Sequence, residues 1–182
     1  MRLKNLEDLY RQELWHLHQA EKQGARMLPA LQRAAASQEL VAELQCLEQQ
    51  TREHLEQLER MLGRNPQGNL CQSNGVTGLV EDCLNVCRDS DCAPDVCEAA
   101  IVATLQHLKH YEIAGYGCVH IWASLLGNNE EVEILQKCLS EEKERDAQLS
   151  RVAEEVNRRA AAAGAGWVPV EAEFEGTALY CG

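Results

Sequence analysis

Aromatic side chains are scarce in this sequence: Phe, Trp and Tyr together make up 4% of 182 residues, and there is a single Phe. Sandwiches and barrels draw on aromatic and β-branched residues, so a core made of Leu, Val, Ile and Ala favours helices. Proline is rare too, with four residues, and Pro66, Pro94 and Pro169 fall where the chain reads as loop or helix start. Positive charge is in deficit, since 17 Lys and Arg face 29 Asp and Glu for a formal net charge of -12. That excludes the basic footprint of a nucleic-acid-binding surface. No run approaches the ~18 consecutive apolar residues of a membrane span. The opening MRLKNLEDLYRQEL is charged throughout and lacks the apolar stretch of a secretory signal. The expectation is a cytoplasmic all-α protein, long enough to bury a core without disulfide staples. Cysteine is the exception to this poverty: there are nine, an odd number, expected as thiols in a reducing compartment.

Helical periodicity runs through most of the chain. The first segment spans 5–36, with Asn5 as N-cap and a kink or break expected at Gly24 and Pro29. Ser37 caps a second segment, 38–62, which Gly63 ends. Residues 63–93 form a long, cysteine-rich crossover carrying one short helix near 77–87. Pro94 at a first helical position opens a third long segment to 126, closed by Gly127. Asn128 with Glu131 resembles a capping box before a fourth, 129–159. Two short turns and one long crossover specify a ferritin-like four-helix bundle with a short fifth helix in the crossover. The bundle is assigned to 1–159, and 160–182 to an Ala/Gly linker with an apolar tail.

Polar residues interrupt the apolar stripes at one height. The interruptions are Glu21 on the first helix, Gln50 and His54 on the second, Glu112 on the third, and Glu142 and Asp146 on the fourth. In each hairpin the group on the first helix lies about 15 residues before the turn, and the pair on the second about 14 to 18 after it. At the common helical rise these meet at one level. One carboxylate per first helix and a pair per second is the layout of a two-metal carboxylate centre, although the usual pair is Glu-x-x-His and here the spacing is i,i+4. Four carboxylates and an imidazole suit Fe or Mn, with Zn also compatible.

At these residues the chain resembles the YciE/YciF family of ferritin-like bacterial proteins, relatives of rubrerythrin. The matching pieces are LEDL at 6–9, AEKQ at 20–23, Leu79 to Glu81 in the crossover helix, HYEIAGYG at 110–117, and Glu141, Glu142, Lys143 and Asp146. The similarity covers 1–158. It implies the ferritin-like fold, a cytosolic setting, homodimers and a two-metal centre, and little about the reaction. Two positions depart from the family pattern. Gln50 stands where the family has Glu before the threonine of the second helix, and Lys109 stands where it has Glu before HYE. His54 adds a nitrogen ligand where the family more often has Gln. A Lys109 ammonium would sit where a cation otherwise sits. The centre is then either a variant metal site or a degenerate one, metal-free and held by a lysine–carboxylate network.

Cys71, Cys83, Cys87, Cys92 and Cys97 crowd the crossover. Their spacing is not that of a zinc ribbon, so plain burial, a soft-metal site for Cu(I) or Zn, and redox chemistry stay open. Cys46, Cys118 and Cys138 read as packing residues, and His16, His18, His107 and His110 as surface histidines. No Ser-His-Asp set and no Gly-rich phosphate loop occurs. The tail concentrates Trp167, Val168, Val170, Phe174, Leu179 and Tyr180, which either fold back on the bundle or a dimer mate or dock on another protein, leaving Cys181 an accessible thiol. The function expected is metal binding at a variant or degenerate centre, reacting with O2 or peroxide in a stress response if redox-active. The alternative is a non-catalytic bundle acting through its cysteines or its tail.

Overall fold

The structure is a computed structural model, and it describes residues 3–63 and 75–163. Cys71, Cys181 and the apolar tail lie outside the described residues. Five helices follow in order: α1 (Leu6–Ala34), α2 (Gln38–Leu62), α3 (Gly75–Arg88), α4 (Pro94–Leu126) and α5 (Asn129–Ala163). No strand occurs among the described residues.

Local chemistry sets the ends. Asn5 accepts a hydrogen bond from the Asp8 amide at 2.8 Å, and the Ser37 hydroxyl accepts from Leu40 at 3.4 Å. Gly127 takes the left-handed conformation (φ 79°, ψ 17°) that a side chain would resist, and ends α4. The capping box expected at Asn128 is not formed: Glu131 donates its amide to the Asn128 backbone carbonyl, while its carboxylate accepts from the Tyr10 hydroxyl at 2.7 Å. Nor does Pro29 break α1, which runs on through it. Met27, Leu28 and Leu31 are buried around it, and that tertiary burial outweighs one missing backbone bond. At the far end α5 continues through Ala160–Ala163, where the linker was expected, because a run of alanines is the best helix former there is.

Helices α1 and α2 form one antiparallel hairpin and α4 and α5 the other. Helix α1 packs on α4, α2 on α5, and α3 lies across α1 and α4. The seam between α1 and α4 is tight at Gly115, where a Cβ would come within 2.7 Å of Leu17 Cδ2. The apolar core comes in two pieces. One gathers Met27, Leu31, Leu40, Leu44, Ile101, Leu105, Leu149 and Val156 under α3. The other gathers Tyr10, Leu14, Leu17, Leu58, Tyr116, Val119 and Leu135 toward the α4–α5 turn. Between them, on all four long helices, lies a slice of polar side chains.

Candidate metal centre

The slice contains Glu21, His54, Lys109, Glu112 and Glu142, each 1% exposed or less. Burying charge away from water is costly unless every charge is partnered, so the pairing is the first thing to establish. His54 Nδ1 lies 3.0 Å from both Glu21 Oε1 and Glu142 Oε1, and its Nε2 lies 3.0 Å from Glu141 Oε2. Lys109 Nζ lies 2.6 Å from Glu112 Oε2 and 2.7 Å from Glu142 Oε2. The Tyr116 hydroxyl donates to Glu21 Oε1 at 2.9 Å, and its ring stands edge-on to the His54 imidazole. Glu142 thus joins the two cations, one on each of its oxygens.

Two carboxylate oxygens in the slice, Glu21 Oε2 and Glu112 Oε1, are buried with no hydrogen-bond partner among the described residues. Such atoms call for a proton or a cation. For Glu112 the proton is favoured: burial first, then the charge of Glu21, push its carboxyl well above the usual range against the pull of Lys109. Glu142 goes the other way. Burial opposes its charge, but Lys109 and the hydrogen bond from His54 hold it down to about 2. Burial likewise opposes the charge on Lys109, and attraction to Glu112, Glu142 and Glu21 overcomes it and raises its pKa. His54 is also raised, burial being outweighed by contacts with Cys138, Glu142 and Glu21. Lys109 and His54 are thus the two cationic side chains that face the carboxyls of the slice.

Four of the six residues expected as ligands, Glu21, His54, Glu112 and Glu142, therefore converge, as does Lys109. Gln50 sits at the edge, donating from Nε2 to Glu142 Oε1 at 3.1 Å while its carbonyl accepts from Arg145 at 3.2 Å. Asp146 does not join. Its Oδ1, one turn beyond Glu142, is buried and lies 3.5 Å from Nε2 of the exposed His110. Tyr116, Glu141 and Cys138 belong to the site and were missed by sequence reading. Tyr116 is four residues past Glu112 inside HYEIAGYG, so that signal was present. Cys138 is four residues before Glu142, and groups with His54 and Glu141 within 4.8 Å. A surface cleft of about 330 Å³, lined by Gln50, Glu53, Glu141, Glu144 and Arg145, leads from solvent to Gln50 and Glu141.

Other expectations need correction. Cys46 and Cys118 are exposed rather than packed, because each falls on the outer face of its helix. His18 is buried, stacked on Trp15 and 3.4 Å from Glu59, rather than on the surface. Cys83 and Cys97 are buried, with Cys87 and Cys92 half-buried beside them. The groups that bring three ligand atoms within 4.8 Å of one another include Glu21, His54 and Glu142, and none consists of these cysteines among the described residues.

Residues 5–162 match a family described as a domain of unknown function, DUF892. The chain belongs to the DUF892 family. Protein YciF of Escherichia coli is 29% identical over 163 residues, covering 88% of this chain and 98% of YciF. The crystal structure of that E. coli stress protein superposes with a TM-score of 0.76 at 28% identity, over 86% of this chain and 99% of that one. YcfI of Rhodopseudomonas palustris superposes at 0.72 with 31% identity, over 81% of this chain and 94% of that one. The resemblance read from HYEIAGYG is thereby borne out, and with it the ferritin-like all-α bundle. The DUF892 match takes in all five helices, and no described helix is long and apolar enough to cross a membrane.

Proposed function

We propose that this DUF892 chain is a metal-binding bundle whose centre takes one divalent cation, held by Glu21, Glu142 and Nδ1 of His54. The observation that carries this reading is that these three side chains are buried with ligand atoms within 4.8 Å of one another. Glu141 supports it: a carboxylate on Nε2 fixes the imidazole so that Nδ1 faces the other two ligands. The orphaned Glu21 Oε2 supplies a further lone pair. Entry of the cation displaces the Nδ1 proton, so binding releases a proton and weakens in acid.

A second metal does not fit beside Lys109. Its ammonium already lies between Glu112 and Glu142, at 2.6 and 2.7 Å, and would repel another cation. Two-metal chemistry, with both ions clamping one substrate, is therefore no part of this reading. A bound Fe or Mn ion would supply oxidation by O2 or peroxide at a single centre. The E. coli relative is called a stress protein, and a stress role is carried to this chain only as part of the proposal.

The upward shift of His54 favours a second reading, a metal-free network in which two protonated side chains satisfy the carboxylates. Calorimetric titration of metal-free protein with Mn(II) and Zn(II) separates the two. We expect one equivalent bound by the native chain, none by His54→Leu, and a second equivalent by Lys109→Glu. No binding by either the native chain or Lys109→Glu would leave the network standing alone.

A further inference from the structure

Away from the polar slice, the turn between α3 and α4 brings two thiols together. Cys87 lies in the last turn of α3 and Cys97 in the first turn of α4, and their sulfurs are 2.8 Å apart. That is about 0.8 Å longer than the ~2.05 Å of a disulfide bond. Cys83 shares a hydrogen bond with Cys87 besides donating to the Ala100 carbonyl at 3.9 Å, and Cys92 donates to the carbonyl of Ala93 at 3.7 Å, but the 2.8 Å approach is made by Cys87 and Cys97. Access is asymmetric, with Cys87 half-buried and Cys97 only 7% exposed.

We infer that Cys87 and Cys97 are a reversible dithiol–disulfide site, oxidised by hydrogen peroxide and separate from the central site. Cys87, the more accessible, reacts first. Its thiolate attacks the peroxide, an S–O bond forms as the O–O bond breaks, and one water leaves with the displaced oxygen. Cys97 then attacks the Cys87 sulfur, the S–S bond forms as the S–O bond breaks, and a second water carries off the remaining oxygen. Two thiols and one hydrogen peroxide thus give one disulfide and two waters, with sulfur oxidised and oxygen reduced. Burial and the hydrogen bond to Cys97 push the Cys87 thiol up, so the site is a slow one rather than a fast sensor. The bond would tie the end of α3 to the start of α4 across the 89–93 turn. Helix α3 packs mainly on α1 and α4 among the described helices, so the tie fixes an element that lies outside the four long helices.

The test uses the full-length reduced protein and equimolar hydrogen peroxide, followed by acid quench, alkylation and peptide mass mapping. The expected product is a peptide linked through Cys87 and Cys97 that dithiothreitol reverses. Cys97→Ser should abolish the link and leave a sulfenic acid at Cys87 that dimedone traps, whereas Cys83→Ser should leave the link unchanged. Because mapping of the native chain alone locates the bond, a variant that fails to fold does not shield the idea. Links from Cys87 to Cys83 or Cys92 would overturn it. So would Cys87 and Cys97 remaining alkylatable while the exposed Cys46 and Cys118 are oxidised, or zinc released in step with thiol loss.

Discussion

In the α1–α2 hairpin the buried Glu21 is met by the imidazole of His54, while in the α4–α5 hairpin Glu112 and Glu142 are met by the ammonium of Lys109. The two hairpins place their polar groups at the same height from their turns, and by spacing alone they are copies. Their cations are not equivalent. An imidazole can surrender the proton on Nδ1 and offer the same lone pair to a metal. An ammonium with this many carboxylate neighbours keeps its charge. One half of the centre can therefore exchange its cation and the other cannot. With Lys109 on one side and His54 on the other, the two halves of the centre are unequal.

Removing the fixed cation should break this comparison hardest. Lys109→Met leaves Glu112 buried without its cation and Glu142 with His54 alone, and breaking such a buried pair costs about 3–5 kcal/mol. Urea unfolding of metal-free protein near neutral pH reads the loss. A change below about 1 kcal/mol would mean that protons or water already neutralise the two carboxylates.

Acid sharpens the contrast inside the α4–α5 hairpin. Glu142 is held at about 2 in the fold against ~4.3 in an unfolded chain. The stability it contributes is complete above the unfolded value and is lost as pH falls from about 4.3 toward about 2, an effect of ~3 kcal/mol. Glu112, raised instead, keeps its proton through this window and contributes nothing to the loss. Unfolding free energies measured across that range should show a flattened acid limb in Glu142→Gln and a native-like limb in Glu112→Gln. If both variants behave alike, the two carboxyls share one titration.

The smallest effect belongs to the residue that spacing placed in the centre and the fold did not. Asp146→Asn removes a contact with an exposed histidine, so stability should move by no more than about 0.5 kcal/mol. Metal stoichiometry should not move at all. Loss of bound metal in this variant would put Asp146 back among the ligands.

These cases mark where sequence reading held and where it stopped. Helix boundaries were legible because Asn5, Ser37, Gly63, Pro94 and Gly127 each carry a local signal with a steric or hydrogen-bonding cause. The height of the polar slice was legible because two short turns fix the register of two helices of known rise. Asp146 meets His110 instead of the His54 and Lys109 cations, since four residues advance a helix roughly 40° beyond a full turn. Of the kink or break expected at Pro29, the break does not occur, because local reading leaves out the apolar burial on either side of it. The contact between Cys87 and Cys97 was not legible at all, since it depends on the angle at which α3 meets α4.

The divided core has a bearing on how the molecule comes apart. The two apolar clusters lie toward opposite ends of the bundle, and the charged slice lies between them on the four long helices. Unfolding is cooperative when the parts cannot survive alone, and here the coupling between the ends includes ion pairs whose strength depends on protonation. The end that holds α3 and the end that holds the α4–α5 turn are therefore expected to lose their coupling first when the slice loses its ion pairs, and amide exchange measured at each end in acid would read that separation.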